Sequence, residues 1–226
     1  MRYDLAAVFL AAVLSLAAQP GSAQGVRRSN TPPPAPLPDA SVPNAADCPV
    51  AADLAGGIRL TSELNETETI RLEEDGSFIV RFEDAEGFGV VMRLVRGLYL
   101  TRSWPIDEGQ VDFWPSMIVN FPVSDAEMPD PVPGEGWDVD VRLGGSDFAD
   151  ESEEQSYSFG EPDRIAFGDC VYDYIPVTAV YIGAGDPFQD VYYYLTEFGV
   201  SYLAESGPVD AEPDLFTNHI RIEAVQ

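Results

Sequence analysis

WDVDVRL, residues 137–143, decides the fold class. Trp137, Val139, Val141 and Leu143 fall on one side of an extended chain, and Asp138, Asp140 and Arg142 on the other. Successive strand side chains point to opposite faces, so a period of two marks a strand with one buried face and one wet face. SFIVRFED, residues 77–84, repeats the pattern, with Phe78, Val80 and Phe82 set against Ile79, Arg81 and Glu83. Asp75-Gly76, Glu86-Gly87, Arg96-Gly97, Gly144-Gly145 and Gly168-Asp169 punctuate the runs as hairpin turns do. The spacing predicts strands near 58–63, 67–73, 77–84, 88–96, 98–103, 117–121, 137–143, 154–159, 164–167, 170–183, 189–196, 198–204 and 215–223. Only the stretch from Pro49 to Leu54 suits a helical turn. The expectation is an all-β domain, an antiparallel β-sandwich or open barrel of about 11–13 short strands.

Working outward, residues 104–135 are rich in proline and predict long excursions at one end of the sheet with one brief strand. Phe88 to Val91 and Phe188 to Val191 each open a strand after an acidic-glycine turn, and each strand runs to a glycine, Gly97 or Gly199. A duplicated β-meander would account for this match, and so would the chance agreement of any two hairpins. VYYYLTEFGVSYLAESG, residues 191–207, resembles a strand pair of bacterial envelope proteins in which a curved antiparallel sheet holds or sorts lipoproteins. The helices that the lipoprotein-carrier family packs into its half-barrel have no counterpart here, so the resemblance implies a sheet and no activity.

The chain opens MRYDLAAVFLAAVLSLAAQPGSA, which reads as a signal peptide over 1–23. Arg2 leads, Leu5 to Ala18 form the apolar stretch, and Gly21-Ser22-Ala23 supplies small residues for cleavage. That apolar stretch is shorter than the roughly 20 residues a spanning helix needs, and no integral membrane segment is expected after its removal. Residues 24–47 hold six prolines and hardly a large apolar side chain, which predicts a disordered Pro-rich linker. Residues 48–226 are then a single all-β domain, and the expected location is periplasmic or secreted.

Net charge is −27, and no lysine occurs anywhere in the chain. A field of that sign repels phosphate backbones and anionic headgroups, which argues against nucleic acid as a partner. Cys48 and Cys170 are the two cysteines of an exported chain, and their even number predicts one disulfide.

Chemistry is scarce. His219 is the single histidine, so multi-histidine metal sites within one chain are excluded and no metal ligands are expected. No G-x-S-x-G elbow, phosphate loop or dinucleotide fingerprint occurs, and no cofactor is expected. Asp138 and Asp140 share a strand face and are the candidates for a carboxylate-dependent, glycosidase-like hydrolase. Asp147, Asp150, Glu151, Glu153 and Glu154 form an acidic run that suits either calcium or plain solvation.

Aromatic residues are the remaining candidates. Trp104-Pro105, Trp114-Pro115 and Phe121-Pro122 repeat an aromatic-proline pair, and Tyr172, Tyr174, Tyr181, Tyr192, Tyr193, Tyr194 and Tyr202 crowd the second half. Exposed, such rings stack on sugars or grip an apolar ligand; buried, they build the core. The sequence thus predicts an exported β-domain without catalytic residues. Its expected partner is an envelope component, glycan or small apolar molecule, bound by Trp104, Trp114, Phe121, Tyr192 and Tyr194. A structural or assembly protein of the envelope is the third class.

Overall fold

The computed structural model describes residues 47–112, 114–146 and 150–225. The expected signal peptide at 1–23, residues 24–46 of the Pro-rich stretch and Asp147 of the acidic run lie outside the described residues. The strands are β1 (Ile58–Ser62), β2 (Thr67–Leu72), β3 (Phe78–Glu83), β4 (Gly89–Val95), β5 (Tyr99–Asp107), β6 (Gln110–Val111), β7 (Met117–Asn120) and β8 (Gly136–Gly144). The second half adds β9 (Glu151–Phe159), β10 (Asp163–Phe167), β11 (Cys170–Ile182), β12 (Phe188–Leu195), β13 (Val200–Pro208), β14 (Leu215–Phe216) and β15 (His219–Ala224). They form one fifteen-stranded antiparallel sheet.

The count exceeds the expected 11–13 for two local reasons. Asp107 and Gln110 pair around a tight turn at Glu108 and Gly109, which makes β6. The last expected strand is divided at Thr217 and Asn218, where the chain changes partners. Thr217 N–H donates to Ala204 on β13, whereas Asn218 C=O accepts from Glu63 beyond β1. One run of chain, residues 215–224, therefore holds both ends of the sheet, with β14 on β13 and β15 on β1. This arrangement curls the sheet upon itself, and the fold is all-β, of the open-barrel or sandwich kind expected.

Two cores lie on opposite faces of its middle strands. On β11, Tyr172 and Tyr174 enter the first core, whereas Ile175, Val177 and Ala179 enter the second. On β12, Tyr193 and Leu195 join the first core and Tyr192 and Tyr194 the second. Period-two alternation gives each strand two faces, and here both are covered, so these strands lack a clean apolar-polar alternation. β8 keeps that alternation: Val139, Val141 and Leu143 are buried, and Asp138, Asp140 and Arg142 are exposed.

The first core is closed by the turn at Ala51–Ala55, which buries Leu54. Asp53 caps it by accepting from the Val50 N–H at 2.8 Å. Cys48 and Cys170 are bonded, with α-carbons 5.6 Å apart, and the Tyr172 hydroxyl donates to Pro49 C=O at 2.8 Å. The second core is closed by the Pro-rich excursion after β7. Met128 is buried there, and the Tyr99 hydroxyl donates to Pro129 C=O at 2.9 Å.

Candidate functional site

A cavity of about 330 Å³ lies within the curled sheet. That is near the lower end of small-molecule sites, which run from about 300 to 1,000 Å³. Much of its wall is apolar, including Phe82, Val90, Met92, Leu94, Leu100 and Leu203. β9, β11 and β12 supply a polar end. Tyr157, Ala179 and Asp190 lie in register across these strands, as do Gln155, Tyr181 and Phe188. Ala179 places only a methyl between Tyr157 and Asp190, so the longer side chains on either side reach over it.

The polar end is wired by hydrogen bonds. Tyr157 Oη donates to Gln155 Oε1 at 2.7 Å, and Gln155 Nε2 donates to Glu153 Oε1 at 2.8 Å. Tyr192 Oη donates to Asp190 Oδ2 at 2.9 Å and lies 3.0 Å from Tyr181 Oη. Because the single Tyr192 proton goes to Asp190, Tyr181 supplies the proton between the two hydroxyls. Asp190 is 8% exposed, and its Oδ1 is buried without a hydrogen-bond partner. Burial pushes the Asp190 carboxyl above the ordinary carboxylate range, against the pull of the Ser206, Tyr192 and Tyr181 hydroxyls. Glu153 is pushed up as well, by burial first and then by the charge of Asp190, while Gln155 draws it down.

Glu68 is a further acid in the wall. Its Oε2 lies 3.3 Å from His219 Nε2, and His219 also packs edge-on against Tyr202 at 4.8 Å. The His219 ring is thus paired at Nε2, while Nδ1 is buried without a partner.

The five expected binding residues are not gathered on one surface. Tyr192 lines the cavity through the bonds just described. Tyr194 lies two residues on and packs into the second core, where burial raises its hydroxyl pKa to about 12. Phe121 stacks on Trp137 at 5.8 Å and meets Tyr99 edge-on at 6.0 Å, so it is a core ring. Trp104 does not stand on a loop as expected; it lies within β5, opposite Val91, and is half-buried. Trp114 is 71% exposed and is not among the residues that line the cavity, although Asp112 and Ser116 on either side of it in the chain are.

The acidic run also differs from expectation. Its second part forms the start of β9, which turns Glu153, Gln155 and Tyr157 inward. Asp150 instead pairs with Arg142 at 2.6 Å. Among the described residues, no group of three or more His, Cys, Asp or Glu is placed to hold a metal ion. Asp138 and Asp140 stay on the outer face of β8, where Asp138 accepts from the Ser156 hydroxyl.

No protein-family model matches the chain, and no curated protein matches it in sequence. Among solved structures, the hypothetical lipoprotein YmcC from Escherichia coli (K12) is similar in fold, with a TM-score of 0.41. The two chains share 9% identity over 75% of this chain and 87% of that one.

The raised Asp190 carboxyl has a consequence for stability. A carboxyl whose native pKa is raised contributes its full stability below the unfolded pKa, and that contribution is lost as pH rises through the native pKa. Asp190→Asn removes this loss. The variant is expected to gain thermal midpoint relative to the parent at pH 8, and to show a smaller gain or none at pH 4. Calorimetry at the two values checks it. A gain that shrinks as pH rises would contradict the assignment.

Proposed function

We propose that this protein is an exported, non-catalytic β-domain that holds a small apolar ligand inside the curled sheet. The observation that carries the reading is the cavity of about 330 Å³, apolar along much of its wall and polar at one end. Ligand sites commonly combine such a wall with a few polar groups that orient the occupant. A glycan suits it less well, since sugar hydroxyls along the apolar wall would lose water without gaining partners. The expected periplasmic or secreted location rests on the leader sequence, and the bonded Cys48–Cys170 pair accords with an oxidising compartment.

An environment-sensitive apolar dye tests the cavity. Binding of 1-anilinonaphthalene-8-sulfonate or the uncharged N-phenyl-1-naphthylamine is followed by fluorescence. The uncharged dye is expected to bind one per chain, and Leu203→Trp, which fills the cavity, is expected to weaken it by about tenfold or more. Unchanged dye affinity in a folded Leu203→Trp protein would refute the reading.

A further inference from the structure

We propose that the occupant of this cavity is an apolar amine, whose protonated nitrogen hydrogen-bonds Asp190 Oδ1 with Glu153 facing it. The inference rests on the cavity being a ligand site and adds the ligand's chemical class. Three observations carry it.

The first is an unfilled acceptor. Asp190 is more than nine-tenths buried and lines the cavity; Tyr192 bonds one carboxylate oxygen and the Ser206 hydroxyl also draws on the carboxyl, yet Oδ1 has no donor at hydrogen-bond geometry among the described residues. Buried polar atoms are nearly always hydrogen-bonded, and an orphaned carboxylate oxygen is a costly exception. While Asp190 is ionised its oxygens only accept, so a group that fills this position donates.

The second is the sign of the surroundings. Asp190, Glu153 and Glu68 line the cavity, no arginine is among its lining residues, and the chain has no lysine. A carboxylate or phosphate headgroup would bring like charge to Asp190 and Glu153 in a place of low dielectric. A protonated amine brings the opposite charge and also meets the need for a donor, and charge-assisted bonds are the stronger kind. Burial holds both acids above their ordinary range, the charge of Asp190 adds to it at Glu153, and a nearby cation relieves both.

The third is the aromatic setting. Tyr157, Tyr181 and Tyr192 line the same end, and an aromatic surrounding suits a cation better than an anion. The overall charge of −27 draws cations toward the protein from a distance.

The test is titration calorimetry of the purified protein with octylamine, octan-1-ol and octanoate, three probes with the same apolar body. At about 0.15 M salt, exposed charges are largely screened and non-specific attraction of the amine is reduced. Octylamine, protonated at neutral pH, is expected to bind about tenfold or more tightly than octan-1-ol, with octanoate weakest. Asp190→Asn is expected to remove the preference for the amine while leaving octan-1-ol binding in place. Glu153→Gln is expected to reduce the preference and gives an independent reading if Asp190→Asn does not fold. Equal affinity for amine and alcohol, or an amine preference that survives in both variants, would overturn the inference while leaving the apolar cavity standing. Failure of all three probes, together with failure of the uncharged dye, would instead remove the cavity reading itself.

Discussion

Replacing Cys48 and Cys170 together by serine is expected to lower the thermal midpoint by about 10–20 °C. The bridge closes a separation of 122 residues. In the chain-entropy description, a crosslink of that span restricts the unfolded chain by up to about 4–5 kcal/mol, and each kcal/mol moves the midpoint of a domain this size by about 2–4 °C. The bridge also tethers the Ala51–Ala55 turn to β11, with Leu54 seated in the first core and Tyr172 bonded to Pro49. Differential scanning calorimetry of parent and double variant checks it, and a loss under about 3 °C would show that the turn docks without the tether. Residues near Cys48 should also become the first sites of proteolysis, because the turn loses its covalent hold.

Gly97→Ala is expected to be more damaging than a hairpin-turn position suggests, because Gly97 is buried. A β-carbon there would lie 2.0 Å from Gly199 C=O and 2.6 Å from the Val200 α-carbon, backbone atoms with no rotamer to yield. Gly97 also has φ of +64°, where a side chain costs about 1–2 kcal/mol even in open space. Its C=O accepts both the Ser201 N–H at 2.7 Å and the Ser201 hydroxyl at 2.9 Å, so a shift of the turn breaks two bonds. The sum is a loss of roughly 4 kcal/mol or more, in the range that unfolds marginal domains. Gly199→Ala is the internal control. Gly199 has φ of +65°, but a β-carbon there would meet only the end of a side chain, Tyr194 Oη at 3.6 Å. Its cost should stay at about 1–2 kcal/mol. Urea unfolding of both variants measures the difference; equal losses would show that the tip-to-tip contact contributes little.

That contact illustrates where sequence reading stops. Both glycines stand out as hairpin punctuation, and each of the thirteen expected strands falls on an observed one. That the β4–β5 and β12–β13 turns meet, with Ser201 bonded to Gly97, depends on how far the sheet curls. The meeting of two similar hairpin tips agrees with either origin of the internal match. The strand count fell short because β6 is only two residues long and because the division at Thr217 is a change of partner, not of conformation.

The candidate site shows the same division. Of the five aromatic residues expected to bind, Tyr192 lines the cavity, while Trp114 is exposed and outside the lining. Phe121 and Tyr194 pack in the second core, and Trp104 lies on a strand. Aromatic type alone cannot separate these roles, because the same ring serves a core or a ligand according to what faces it. Asp190 and Glu153 gave a weaker signal still. Glu153 stood in a run of acids that read as solvated, although its alternation with Gln155 and Tyr157 continues the period of a strand. Asp190 stood alone in QDVYYY, with nothing nearby to mark it as buried.

What the sequence determined by itself is the class of structure: period-two alternation and glycine turns commit the chain to antiparallel strands, because those choices are local. Its charge, its opening apolar run and its cysteine number are likewise written residue by residue. Tertiary structure alone decided which faces of β11–β13 look into a core and which into a cavity. It also brought Glu153 and Asp190, thirty-seven positions apart, to one polar end. The reason is geometric: alternation assigns each side chain to one of two faces, but only the curl of the whole sheet decides what each face encloses.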